Sequence, residues 1–213
     1  MKAFFFDLDG TLLDTLEDLA EAVNTVLAGA GYPVHPVEAY KFFVGDGMET
    51  LLRRAAPEGT DQEALSGLMK NMREEYGRNW ANKSRPYPGI MSMLSGLAER
   101  GISLSVLSNK PHEFTLLTVR HFFPEVPFAM IQGSPEGGRA KPDPALAFTM
   151  AGELGCNSSE VTFMGDSSTD MKTAVGAGMF PVGVLWGFRP ASELTQHGAK
   201  LLLERPAQIF DHL

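Results

Sequence analysis

The stretch Ala3-Phe4-Phe5-Phe6-Asp7-Leu8-Asp9-Gly10-Thr11-Leu12-Leu13-Asp14 decides how the rest of the chain is read. An unbroken apolar run that ends in acids and a glycine suits a strand covered on both faces of a parallel sheet, and such sheets bind ligands beyond the carboxyl ends of their strands. Asp7 and Asp9 are two residues apart, so while the chain stays extended they share a side, about 6–7 Å apart along the strand. Two carboxylates so placed repel each other unless a cation lies between them or one is protonated. Acids after a strand also begin ordinary solvated loops. Gly10 permits a sharp turn, Thr11 offers a hydroxyl, and Asp14 and Thr15 suit the start of a helix.

Outward from this stretch the pattern turns helical. Leu16, Leu19, Ala20, Val23, Val26 and Leu27 recur at threes and fours until Gly29-Ala30-Gly31, and further helices are expected at 37–43, 48–56 and 61–79. After Pro86 and Pro88 a helix carries Met91, Leu94 and Leu97. Strands are then expected at 102–107, 128–132, 161–164 and 181–185, separated by helices near 111–123, 144–154 and 169–177, with a further edge strand at 201–203. Strand-helix alternation implies right-handed crossovers and a parallel sheet. The expected fold is therefore α/β: a Rossmann-like parallel-sheet core, residues 1–14 and 83–213, with an all-helical cap domain, residues 15–82, inserted after the first strand.

The 213 residues suffice for a substantial core, and 44% hydrophobic with 21% charged residues is ordinary for a globular protein. Nothing longer than a strand is continuously apolar, so a cytoplasmic protein without a membrane anchor is expected. Cys156 is the single cysteine, which excludes an intrachain disulfide and a cysteine-rich metal site. A net charge of −8 with 18 scattered Lys and Arg argues against nucleic acid as a partner. The same charge repels anions at long range, so a site for a phosphorylated metabolite has to be made locally.

Four segments carry a resemblance. Asp7-Leu8-Asp9-Gly10-Thr11-Leu12-Leu13-Asp14-Thr15 is similar to the first motif of the haloacid-dehalogenase-like superfamily, specifically its magnesium-dependent phosphatases. Ser108-Asn109-Lys110-Pro111 resembles the second motif, in which a hydroxyl binds the phosphoryl group, although Ser and Asn also suit capping of the helix that follows. Lys141, in Gly137-Gly138-Arg139-Ala140-Lys141-Pro142-Asp143-Pro144, resembles the third motif, and a Lys held by a restricted loop can place a fixed positive charge beside a phosphoryl group. Gly165-Asp166-Ser167-Ser168-Thr169-Asp170 resembles the fourth, with Asp170 falling on the first turn of a helix, where a carboxylate is favoured.

The resemblance implies a Mg²⁺-dependent phosphatase acting on a small phosphomonoester. Asp7 would be the nucleophile and Asp9 the general acid and base, with Lys141 as the charge partner. Thr11, Ser108, Asn109 and Lys141 would hold phosphate. Asp7, Asp9 through its backbone carbonyl, Asp166 and, directly or through water, Asp170 would hold the metal. The acid at Asp9 separates phosphatases from members that dehalogenate or cleave phosphonates. Leu19 stands where related sugar-phosphate mutases carry a histidine. Gly45-Asp46-Gly47 followed by a helix with Arg54-Ala55 resembles the cap of the phosphoglycolate phosphatase subgroup, as does Trp186-Gly187-Phe188-Arg189. Gly47 and Arg54 are thus candidate substrate contacts, Arg54 for the carboxylate of 2-phosphoglycolate, although an Arg at that helical position also suits a solvated face. A sugar phosphate or pyrophosphate is the alternative substrate. A phosphomutase or a non-catalytic phosphate sensor is the alternative role.

Overall fold

A computed structural model of the chain describes residues 1–135 and 138–213. Gly137, at the head of the third motif segment, lies outside the described residues. In chain order the elements begin with β1 (Ala3–Phe6), β2 (Leu13–Asp14), α1 (Leu16–Gly29), α2 (Tyr40–Phe43), α3 (Met48–Ala55), α4 (Gln62–Asn79), β3 (Arg85–Pro86), α5 (Ile90–Glu99) and β4 (Ser103–Pro111). They continue with α6 (His112–Phe122), β5 (Phe128–Ser134), α7 (Ala145–Glu153), β6 (Val161–Gly165), α8 (Ser168–Gly176), β7 (Phe180–Val184), α9 (Ala191–Gln196) and β8 (Leu201–Leu203).

Six strands form one parallel sheet in the order β5-β4-β1-β6-β7-β8. The chain moves outward from β1 through β4 to β5 and then returns to the other side of β1 with β6. That reversal opens a crevice at the carboxyl ends of β1 and β6, where Asp7 and Asp166 emerge. Alternation along β1 divides the core: Phe4 and Phe6 face α5 and α6, whereas Ala3 and Phe5 face α7 and α8. The three phenylalanines are fully buried, each contributing roughly 1.5–3 kcal/mol of transfer free energy. The buried strand at the start of the chain thereby anchors the two acids that follow it.

Helices α1 to α4 form a helical cap with its own core, built from Leu19, Val23, Leu27, Tyr40, Leu52, Leu68 and Met72 among others. Helix α4 starts where Asp61 accepts a hydrogen bond from the Ala64 N–H at 2.8 Å, and α1 stops where Gly31 takes a left-handed conformation. The expected helix over 37–43 divides into a short 3₁₀ turn, Val37–Ala39, and α2, because Pro36 enters extended and its carbonyl closes the first turn onto the Ala39 N–H.

Sequence periodicity gave no hint of the two-stranded antiparallel ribbon β2–β3, which pairs Leu13 with Pro86 and Asp14 with Arg85 at the two crossings between core and cap. Asp18 locks the same region. Its buried carboxylate accepts from the backbone N–H groups of Lys83 and Ser84 and from the Ser84 hydroxyl at 2.6 Å. Helix α9 and the 3₁₀ segments Ser158–Glu160 and Pro206–His212 were likewise too short to produce a periodic signal. Among the described residues, no helix is long and apolar enough to cross a membrane.

Candidate active site

Asp7 follows β1 directly, and its backbone N–H still donates to the Met164 carbonyl of β6 at 2.9 Å, so its carboxylate is fixed by the sheet. Lys141 reaches it from the loop before α7: Nζ donates to Asp7 Oδ1 at 2.8 Å and to Asp170 Oδ1 at 2.6 Å, with only 2% of the Lys141 side chain exposed. Asp170 uses its other oxygen to accept from the Ser167 N–H and hydroxyl, completing a reciprocal cap on α8. Asp166 accepts from the Phe188 N–H at 2.7 Å and from the Thr11 hydroxyl at 3.4 Å. The Trp186 indole N–H donates to the Thr11 carbonyl at 2.9 Å. The loop after β7 therefore steadies the turn after β1.

Two glycines make this approach possible. Gly10 has φ +90°, a left-handed conformation that a side chain resists, and a Cβ there would run into the Asp166 carboxylate. A Cβ on Gly187 would collide with Asp166 and the Gly10 carbonyl. Backbone rather than side chain fills the space behind the acids.

Asp7, Asp166 and Asp170 are buried, and each offers a carboxylate oxygen within 4.8 Å of the others. Burial pushes Asp7 up to about 7. Lys141 opposes the shift and Asp170 adds to it. Burial, then Asp170 and Asp7, push Asp166 well above the usual carboxylate range. For Lys141, burial works against the charge, but the carboxylates of Asp170 and Asp7 outweigh it and raise the ammonium. Of three buried acids, Asp7 and Asp170 thus share one ammonium and Asp166 has none, an imbalance that a second cation would relieve. The donor set, all hard oxygen, fits a divalent metal ion of the magnesium type.

Asp9 turns away from this cluster. Lys110 Nζ lies 2.9 and 3.0 Å from its two oxygens and also donates to the Tyr76 hydroxyl of α4 at 2.7 Å. Burial disfavours the Lys110 charge, yet Asp9 and Tyr76 outweigh it and raise the ammonium, while burial pushes the Tyr76 phenol up to about 12. Asp7, Asp9, Ser108, Asn109, Lys110 and Gly47 line one small cavity of about 40 Å³, and Leu19, Val44, Met48, Leu51 and Tyr76 supply much of its cap side.

A model of the family described as haloacid dehalogenase-like hydrolase matches residues 4–184. The chain belongs to that family. It is 33% identical to a phosphoglycolate phosphatase of Pseudomonas syringae over 100% of this chain and 77% of that protein. It is 32% identical to one of Haemophilus influenzae, over 98% and 96% respectively. Among solved structures, a predicted phosphoglycolate phosphatase from Haemophilus somnus superposes with a TM-score of 0.93 at 27% identity, covering 100% of this chain and 97% of that one. A predicted phosphatase from Clostridium acetobutylicum gives 0.89 at 25% identity, over 99% and 97%. The chain is accordingly a phosphatase, a phosphoric monoester hydrolase of the haloacid dehalogenase-like type.

Within this hydrolase the residues singled out from sequence fall into two places. Asp7, Asp9, Thr11, Ser108, Asn109, Lys141, Asp166 and Asp170 gather at the carboxyl ends of β1, β4 and β6. The Asn109 side chain spans core and cap: Nδ2 donates to the Lys141 and Gly45 carbonyls at 2.9 and 3.0 Å, and Oδ1 accepts from the Lys141 N–H. Arg54 stands apart and does not line the cavity. Its guanidinium donates to Asp46 Oδ2 at 2.5 Å and to the Phe43 carbonyl, in an outer pocket shared with Phe42 and Arg189.

Asp46 in turn accepts from the Thr169 hydroxyl of α8 at 2.5 Å. Half-burial works against its charge, but Thr169 and then Arg54 hold it below the usual range. Arg189 adds a bond from the core to the Val44 carbonyl at 2.9 Å. Sequence reading missed Lys110, Tyr76, Asp46 and Thr169. For Lys110, Asp46 and Thr169 the signal was a place inside the second motif, cap and fourth motif segments; for Tyr76 there was none.

Proposed function

We propose that the chain is a Mg²⁺-dependent phosphatase that hydrolyses 2-phosphoglycolate through an aspartyl-phosphate on Asp7, in the cytoplasm, with residues 15–82 as a cap domain over a core of residues 1–14 and 83–213. The observation that carries this reading is that Asp7, held by Lys141, and Asp9, held by Lys110, face one cavity. Two acids with separate cationic partners can do separate work on one substrate.

An Asp7 oxygen attacks phosphorus as the ester P–O bond breaks, and Asp9 delivers its proton to the leaving alkoxide. Asp9 then takes a proton from the water that attacks phosphorus, which releases inorganic phosphate and restores the Asp7 carboxylate. Lys141 keeps Asp7 aimed and offsets charge building beside it, while the buried Ser108 hydroxyl stands ready to donate to a phosphoryl oxygen. Asp7, Asp166, Asp170 and the Asp9 carbonyl would hold Mg²⁺, which when bound supplies positive charge against the phosphoryl oxygens. Leu19, at the place where the resembling mutases carry histidine, is an apolar cavity wall and gives no base for transfer to a second sugar hydroxyl, which favours water as the acceptor. Arg54 is assigned to holding the cap down through Asp46 rather than to reading the substrate.

Hydrolysis of a panel of small phosphate esters with Mg²⁺ tests the assignment. Phosphoglycolate should have the highest kcat/KM, and Asp9→Asn should accumulate a hydroxylamine-sensitive phosphoenzyme from p-nitrophenyl phosphate, whose leaving group needs little protonation. A clear preference for a sugar phosphate or pyrophosphate overturns the substrate, and absence of any trapped phosphoenzyme counts against the covalent route.

A further inference from the structure

Where cap meets core, the cavity has one donor that is not used, the phenol hydrogen of Tyr76, beside the Lys110 ammonium. An ammonium has no acceptor, so in the 2.7 Å bond between Lys110 and Tyr76 the phenol oxygen accepts, and the phenol's own hydrogen is taken by no other described residue. Lys110 has three hydrogens. One goes to Tyr76, and the two oxygens of a single carboxylate, Asp9, lie against the others at 2.9 and 3.0 Å. The Lys110 and Tyr76 residues are only 6% and 1% exposed and both line the cavity, so the donor left over there is offered to whatever occupies the cavity. Buried donors without partners are costly, and a ligand acceptor removes that cost.

Position and charge narrow the acceptor. Among the described residues lining the cavity, Lys110 is the one cationic side chain. It touches the same carboxylate that has to reach the leaving oxygen, so a group two bonds beyond that oxygen falls beside Lys110 and Tyr76. The apolar cap walls, Leu19, Val44, Met48 and Leu51, offer an anion nothing but accept an alkyl branch.

We infer that Lys110 and Tyr76 form a carboxylate subsite, and that the chain selects phosphate esters carrying a carboxylate on the carbon next to the ester oxygen. This rests on the phosphatase reading above and gives it a substrate class: 2-phosphooxy acids with a hydrogen or small alkyl group at that carbon. Lys110 has a double role there, touching both the carboxylate and Asp9.

Binding without turnover separates this inference from the reading on which it rests. Calorimetry in Mg²⁺ buffer compares 3-phosphonopropionate, in which CH₂ replaces the ester oxygen of phosphoglycolate, with propylphosphonate, which lacks the carboxylate. Wild type should prefer the former by about 10–100-fold, the worth of hydrogen bonds to a charged group. Tyr76→Phe should cut that preference several-fold and Lys110→Met should nearly abolish it. Where Lys110→Met fails to fold, Tyr76→Phe decides alone. No preference in wild type, or an undiminished one in Tyr76→Phe, overturns the subsite even if phosphoglycolate is hydrolysed. A preference that behaves as expected sustains it even if turnover is absent and the phosphatase reading falls. In turnover assays 2-phosphoglycerate should outrun 3-phosphoglycerate, whose carboxylate is one bond too far, and equal kcat/KM values count against the inference.

Discussion

Thr169→Val should slow the enzyme on every substrate, although Thr169 is assigned no contact with the reacting atoms. Its hydroxyl donates from the core to Asp46 of the cap at 2.5 Å, and the residue is 7% exposed, so valine removes the hydroxyl with little change of shape. A hydrogen bond to a charged group is worth about 1.5–3 kcal/mol, or roughly 10–100-fold in an equilibrium that makes or breaks it. The Arg54 bond to the same carboxylate is weaker, because the Arg54 side chain is 37% exposed and such pairs contribute about 0.2–1 kcal/mol. If these bonds hold the cap over the cavity, kcat/KM should fall about 10-fold or more in Thr169→Val and a few-fold in Arg54→Ala, equally for phosphoglycolate and p-nitrophenyl phosphate. Melting temperatures should hardly move, since neither Thr169 nor Arg54 belongs to an apolar core. Steady-state kinetics on both substrates checks this. A loss in Arg54→Ala confined to phosphoglycolate would show that Arg54 reads the carboxylate, and unchanged kinetics in Thr169→Val would refute the docking role of Asp46.

Two other outcomes test the acidic cluster. Asp7→Asn should abolish hydrolysis while melting at or above the wild-type temperature, because it removes a nucleophile and a repelling charge but no core contact; near-normal turnover would sink the covalent mechanism. Metal-free protein should lose stability as pH rises from about 4 to 7. The folded-state pKa of Asp7 is raised to about 7, so its contribution is full below the unfolded carboxylate value near 3.9 and is lost as pH climbs through the folded one. Asp166, raised in the same direction, adds to the effect. Calorimetric melts with and without Mg²⁺ should diverge over that interval, with the fall suppressed by metal and reduced in Asp166→Asn. A flat metal-free profile would mean that the acids are not strained by their burial.

The amino-acid sequence by itself determined the parts that repeat at short range. Three buried phenylalanines before Asp7, the i, i+3, i+4 spacing of α1 and the alternation of short apolar runs with helices are local signals of period two or 3.6, and they sufficed for a parallel sheet carrying a helical insert. Asp7 and Asp9 were legible for a related reason, since they end a strand and strand ends meet at one edge of a parallel sheet, whereas Lys141, Asp166 and Asp170 were singled out by their resemblance to the family's motifs.

Only the tertiary structure decided who pairs with whom there. Asp9 goes to Lys110, Asp7 and Asp170 go to Lys141, and Asp166 goes to Thr11 and the Phe188 N–H, a partition that residue spacing does not encode. Tyr76 reaches Lys110 across 34 positions and Thr169 reaches Asp46 across 123, contacts fixed by how the cap is set on the core rather than by either segment's own pattern. Arg54 is a further case: from the sequence it suited either a substrate carboxylate or a solvated helix face, and the turn before α3 gives it Asp46 as a partner instead.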